Sequence, residues 1–172
     1  DGDYLDGTIF EHVIIEYGLG LKAGTSTELS STPYITHSTF RYNFDQAINV
    51  ITTDGVMKVD NCEIYNNGGV NDNYKAIGIE PGNASTEILE NNIYNNISKS
   101  SLIDVYSGSM HDNNIYNNTH IWSVHGGIIY NPSHNFYNNI VKNNSGHIIR
   151  DAGNIYSNIF YKNTNGYVIL FN

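Results

Sequence analysis

An apolar residue, two spacers and an asparagine return again and again along this chain. The tetrads are Phe40-Arg41-Tyr42-Asn43, Ile64-Tyr65-Asn66-Asn67, Ile93-Tyr94-Asn95-Asn96, Ile115-Tyr116-Asn117-Asn118, Ile140-Val141-Lys142-Asn143 and Phe160-Tyr161-Lys162-Asn163. Ile15-Glu16-Tyr17-Gly18 is an imperfect first copy, with glycine in the asparagine place. The anchors at 15, 40, 64, 93, 115, 140 and 160 are 25, 24, 29, 22, 25 and 20 residues apart. A period of this size marks a stacked-repeat architecture. Its unevenness suits a coil that absorbs insertions in its loops, rather than a helical or leucine-rich array with a stricter period.

Each unit carries about three short strand-like runs. In the third they are Ala47–Ile51, Val56–Val59 and Cys62–Ile64, and counterparts recur at Ala76–Ile79, Ser101–Tyr106, Gly127–Tyr130, His147–Ile149 and Tyr167–Leu170. Turn chemistry punctuates them, as in Thr53-Asp54-Gly55, Pro81-Gly82-Asn83 and Ser107-Gly108-Ser109. No 3.6-residue apolar pattern survives for three helical turns. The pattern therefore predicts an all-β fold: a right-handed, single-stranded parallel β-helix of seven or so rungs. Residues 1–172 form one domain, read as a piece of a longer solenoid.

In such a coil the anchor points inward and meets its counterpart about 4.8 Å away on the next rung. Three residues later the chain turns, and asparagine tolerates the left-handed backbone that a sharp turn requires. Stacked asparagines then form an amide ladder. Two positions before the anchors stand Val13, Ser38, Cys62, Asn91, Asn113, Asn138 and Asn158, also predicted inward. Cys62, the sole cysteine, reads there as a small buried hydrophobe.

The segment Val59-Asp60-Asn61-Cys62-Glu63-Ile64-Tyr65-Asn66-Asn67, with its repetition, resembles the parallel β-helix repeat of the pectin-lyase-like superfamily. It most resembles the Asn-rich repeats of bacterial and archaeal surface and adhesin-like proteins. The resemblance implies an extracellular or cell-surface module with a structural or adhesive role, in contact with carbohydrate. It also leaves open a polysaccharide lyase or glycoside hydrolase, since fold does not fix activity. The motifs of the superfamily's enzymes (Asn-Thr-Asp, Gly-His-Gly, Arg-Ile-Lys, Asp-Pro-His-Asp) do not occur in this sequence, so the reading leans away from catalysis.

Composition narrows the partners. Lys+Arg 8 against Asp+Glu 17 gives a net charge of −9, which disfavours nucleic acid and anionic membranes. No apolar run approaches the roughly 20 residues of a membrane-spanning helix. Polarity is carried by 27 asparagines rather than by charge, a chemistry suited to hydroxyl-rich ligands.

Strand alternation turns a second set of columns outward. It places the row Tyr65, Tyr94, Tyr116 beside Glu63, Glu90 and Asp112, with Asn92 and Asn114 between. Stacking for its own sake is the first reading of such a tyrosine row. Carbohydrate contact through Tyr65, Tyr94, Tyr116, Glu63, Asn92 and Asn114 is the functional one. Candidate catalytic groups are Glu63, Glu90, Asp112, Arg41 and His37. Glu90 and Asp112, about 5 Å apart if in adjacent rungs, are the candidate ligands for Ca²⁺, the one cofactor contemplated. His12 and His37 form another adjacent pair without an evident third ligand. Four sequons begin at Asn83, Asn96, Asn117 and Asn143. Asn96 and Asn143 are expected in the ladder, leaving Asn83 and Asn117 for glycan. The first residues, Asp1–Asp6, read as a poor cap. The apolar stretch 166–172, with Leu170 and Phe171, reads as continuing into further coils, with end-to-end self-association into a filament as the alternative.

Overall fold

The computed structural model describes residues 8–23, 33–44, 46–52, 56–68, 77–81, 85–105, 108–121, 126–130, 135–150 and 153–170. Asp1–Asp6, Asn83 and Phe171 lie outside them. The described chain is a parallel β-solenoid, with three seven-stranded sheets and no helix. The first sheet takes Ile9–Glu11, Tyr34–Thr36, Val56–Asp60, Ser85–Leu89, Gly108–His111, Asn135–Tyr137 and Asn154–Tyr156. The second takes Ile14–Glu16, Thr39–Arg41, Glu63–Tyr65, Asn92–Tyr94, Asn114–Tyr116, Ile140–Lys142 and Ile159–Tyr161. The third takes Leu21–Ala23, Ile48–Thr52, Ile77–Pro81, Ile103–Val105, Ile129–Tyr130, Ile149–Arg150 and Ile169–Leu170. Ile97–Ser98 and Thr119–His120 add one short parallel pair.

The core is three aliphatic stacks. In the second sheet Ile15, Phe40, Ile64, Ile93, Ile115, Val141 and Phe160 are in register. In the first, Phe10, Ile35, Val59, Ile88, Met110, Phe136 and Ile155 are. The third stacks Leu21, Ile48, Ile77, Ile103, Ile129, Ile149 and Ile169. Most of these side chains are fully buried in the inner coils and half-buried in the first and last, because a terminal coil has a neighbour on one side only.

The sixth anchor corrects the sequence reading by one residue. Val141, not Ile140, pairs with Ile115, and Ile140 is 39 % exposed. The expected inward place of Asn138 belongs to Asn139, and the expected ladder place of Asn143 belongs to Asn144. The cause is a rigid five-residue spacing. Each first-sheet core residue precedes its second-sheet partner by five, from Phe10 and Ile15 to Ile155 and Phe160. Loop-length variation falls elsewhere in the coil. Only Val141 has an apolar residue, Phe136, five places before it; five before Ile140 stands Asn135.

Each coil thus contains two tandem five-residue units: core residue, outward residue, left-handed residue, ladder residue, outward residue. The left-handed positions are His12, His37, Asn61, Glu90, Asp112, Asn138 and Ser157 in the first unit. In the second they are Tyr17, Tyr42, Asn66, Asn95, Asn117, Asn143 and Lys162, all with φ between 48° and 58°. The turn-forming backbone therefore sits one residue before the ladder asparagine, rather than on it.

Two ladders result instead of the single one expected. At the second turn, Asn43, Asn67, Asn96, Asn118, Asn144 and Asn163 stack. The backbone N–H and Nδ2 of each of the first five donate to Oδ1 of the following coil's asparagine at 2.9–3.1 Å. Each Nδ2 also donates to the core residue's carbonyl one coil back. Asn91, Asn113, Asn139 and Asn158 repeat this pattern at the first turn. Buried amides here are satisfied by their own kind, as a dry interior requires. Cys62 occupies a ladder place and is buried. Its thiol donates to the Asp60 carbonyl at 3.0 Å while its backbone N–H donates to Asn91 Oδ1. Burial pushes the thiol up to about 12.

Candidate functional site

Among the described residues, the outward face of the second sheet brings aromatic, amide, carboxylate and cationic groups together. Here the strands hold their side chains about one coil rise apart, so like residues stack. Tyr65 and Tyr94 rings are 4.8 Å apart and 8° from parallel; Tyr94 and Tyr116 are 4.9 Å apart and 6° from parallel. Their faces are turned to one another, and all three side chains are half-buried. Cations close both ends of the row. Arg41 Nη1 donates to the Tyr65 hydroxyl at 3.1 Å, and Lys142 Nζ sits 5.2 Å from the centre of the Tyr116 ring.

Beside the rings runs a polar row. Asn92 Nδ2 donates to Glu63 Oε1 at 2.7 Å, and Asn114 Nδ2 to Asn92 Oδ1 at 3.3 Å. Burial and the Glu63 carboxylate push Tyr94 up to about 12, and the same two causes raise Tyr116. These hydroxyls are therefore proton-bearing donors at neutral pH. Arg41 is pinned, since its Nε donates to Glu16 Oε2 at 2.6 Å while its Nη1 holds Tyr65. Those two hydrogen bonds raise its pKa further.

Glu90 and Asp112 are not on this face. They are left-handed turn residues between the first and second sheets, in successive coils, with the buried ladder residues Asn91 and Asn113 between them and the second sheet. Glu90 Oε2 accepts from Asn61 Nδ2 at 3.1 Å, and Asp112 Oδ2 is 2.8 Å from His111 Nδ1. His37, at the same turn, is 2.8 Å by Nδ1 from Thr36 Oγ1, and its ring centre is 5.3 Å from that of His12. The structure thus brings Glu63 together with the tyrosines and Arg41, and keeps Glu90, Asp112 and His37 at a neighbouring turn. Among the described residues no three His, Cys, Asp or Glu side chains cluster as metal ligands.

The one-residue shift also introduces groups missing from the sequence-derived face. Lys142 replaces Val141 in the tyrosine column. On the first sheet, His111, Tyr137 and Tyr156 form a second aromatic column, with ring spacings of 4.7 and 5.0 Å. The five-residue periodicity could have found it, since these residues directly follow Met110, Phe136 and Ile155. Of the sequon asparagines, Asn96 is buried, while Asn117 and Asn143 are both exposed. Asn143 was expected to be covered, and the register shift is why it is not.

Comparison with protein-family models, with curated proteins and with solved structures finds no match.

Proposed function

We propose that this chain is a structural or adhesive β-solenoid module of an extracellular or cell-surface protein, contacting carbohydrate through the outward face of its second sheet. The observation that carries the reading is the regular column of Tyr65, Tyr94 and Tyr116 beside Glu63, Asn92 and Asn114, repeating at the coil rise. Ring edges and hydroxyls supply one line of contacts, and amide and carboxylate groups supply a parallel one. A row of hydrogen-bonding groups at this pitch suits an extended chain of hydroxylated rings. The scaffold behind it is stiff, because two buried amide ladders and three sheets lock each coil to the next. Net charge of −9 favours a neutral glycan over an acidic one. Affinity electrophoresis in gels containing neutral polysaccharides tests this. The native domain is expected to be retarded and Tyr94→Ala less so; equal mobility of the two in every gel refutes it.

A polysaccharide lyase or hydrolase is the second reading, favoured by the placement of Glu90 and Asp112 in successive coils. It gains less support, because Arg41 and Glu63 are each engaged by neighbouring side chains. Degradation of a polysaccharide that Glu90→Gln plus Asp112→Asn abolishes without unfolding would establish it.

A further inference from the structure

At the second turn, the left-handed position of the third to sixth coils is always asparagine: Asn66, Asn95, Asn117 and Asn143. Asparagine is the non-glycine residue best suited to that backbone. The first two coils instead place Tyr17 and Tyr42 there, at φ 56° and 55°. A bulky aromatic at positive φ costs conformational energy, and such strain at a surface directs attention to function. The two rings stack 5.3 Å apart and 10° from parallel, yet Tyr17 remains 65 % and Tyr42 39 % exposed.

Two residues further along, Phe44 projects outward and is 69 % exposed. Both walls then step down in the third coil. Where Tyr42 stood comes Asn66, and where Phe44 stood comes Gly68, whose φ of +88° and contact with the Ile97 carbonyl leave no room for a side chain. The result is a cleft of about 240 Å³ lined by Tyr17, Tyr42, Asn43, Phe44, Asn66 and Gly68. The amide of Asn66 lines it together with the aromatic rings. The nearby cation, Arg41, is neutralised by Glu16 at 2.6 Å.

We propose that this corner is a carbohydrate subsite, sized for one neutral sugar ring, between the Tyr17–Tyr42 pair and Phe44. The proposal rests on the reading of the module as a glycan-contacting one, but places a contact on different residues from the second-sheet row. Tyr42 has Tyr17 on one face and Arg41 and Tyr65 near it as well, so the pair offers ring edges and hydroxyls. Exposed Phe44 offers a ring to the C–H face of a pyranose, and an amide serves its hydroxyls. The volume falls below the range of pockets for drug-sized ligands, which fits a single ring rather than an enclosed chain. With Arg41 paired to Glu16 and the chain at −9, none of the described lining residues compensates a sugar carboxylate.

The test is titration calorimetry with linear tetraoses of β-glucose, β-mannose and β-N-acetylglucosamine, and with tetragalacturonate as the acidic comparison. At least one neutral tetraose is expected to bind, more tightly than tetragalacturonate. The double variant Tyr17→Asn/Tyr42→Asn should weaken it at least fivefold with an unchanged circular dichroism spectrum, since asparagine serves the same turn in four later coils. Phe44→Ser, a change at an exposed side chain, should weaken it similarly. A smaller loss in both variants overturns the subsite. Loss in Tyr94→Ala alone also overturns it and leaves the second-sheet reading standing. Loss in the corner variants alone supports the subsite and removes the second-sheet reading. Absence of binding by all three neutral tetraoses overturns both.

Discussion

Replacing Asn96 by alanine tests whether the buried amides hold the coils together. Asn96 is fully buried in the fourth coil. Its Oδ1 accepts from the backbone N–H and Nδ2 of Asn67 at 2.9 and 3.1 Å, and its Nδ2 donates to the Ile64 carbonyl and Asn118 Oδ1 at 2.9 and 3.1 Å. In Asn96→Ala the backbone N–H of Asn67 loses its acceptor outright, at a cost of about 1–3 kcal/mol for a buried orphan. The Asn67 amide, the Asn118 amide and the Ile64 carbonyl each lose one bond, at about 1 kcal/mol apiece. The sum is about 4–6 kcal/mol, a large part of a typical domain's stability. Urea unfolding followed by circular dichroism reads the total, and hydrogen exchange at the Asn67 amide reads the local opening. Asn95→Ala is the control. That residue is exposed and has the same left-handed backbone without the ladder bonds, so it should cost only about 1 kcal/mol. If Asn96→Ala costs no more than Asn95→Ala, the ladder is not what joins the coils.

Three further outcomes are expected. Ile140→Asn should change stability by less than about 0.5 kcal/mol, whereas Val141→Asn, which places an amide in the core stack, should cost about 3 kcal/mol or more; the reverse order in urea melts would reject the register. Cys62, with its thiol raised to about 12 by burial, should resist a maleimide at pH 8 in the folded protein and react once urea unfolds it. His120 is buried with no hydrogen-bond partner for either ring nitrogen among the described residues, and burial together with nearby His147 holds its pKa down at about 4, against 6.5 when unfolded. Because the unfolded chain takes up the proton first, stability should be full above pH 6.5 and fall as pH drops from 6.5 toward 4, by up to about 3 kcal/mol. His120→Leu should flatten that limb of the stability–pH curve, and an unchanged slope would refute the assignment.

Much of this fold can be read from residue order, because core and turn positions in each coil are chemically distinct. Ile64, Ile93 and Ile115 announce the second-sheet stack, and the asparagines behind them announce a ladder. The slip at Ile140 arose where two apolar residues and two Asn-Asn doublets are adjacent. Taking the second asparagine of each doublet as the buried one, and requiring Phe136 five places before the anchor, resolves it. The candidate face was less legible. Alternation alone put Glu90 and Asp112 beside Glu63, but a left-handed residue breaks alternation, so those carboxylates turn off the sheet. The Tyr17, Tyr42 and Phe44 cleft depends on what the next coil lacks at Asn66 and Gly68. That is a property of stacking, which no single repeat displays.

The ladder bonds that end on an asparagine Oδ1 all run toward the following coil, and this makes the first and seventh coils chemically unlike. A surface laid against Asn158 and Asn163 completes the pattern only if it brings two acceptor oxygens at the ladder spacing. The first coil has none to bring, since Val13 and Gly18 occupy those places and only their backbone N–H groups take part, each donating to the second coil. A coil like the first, set against the seventh, would therefore meet it as a plug without its socket.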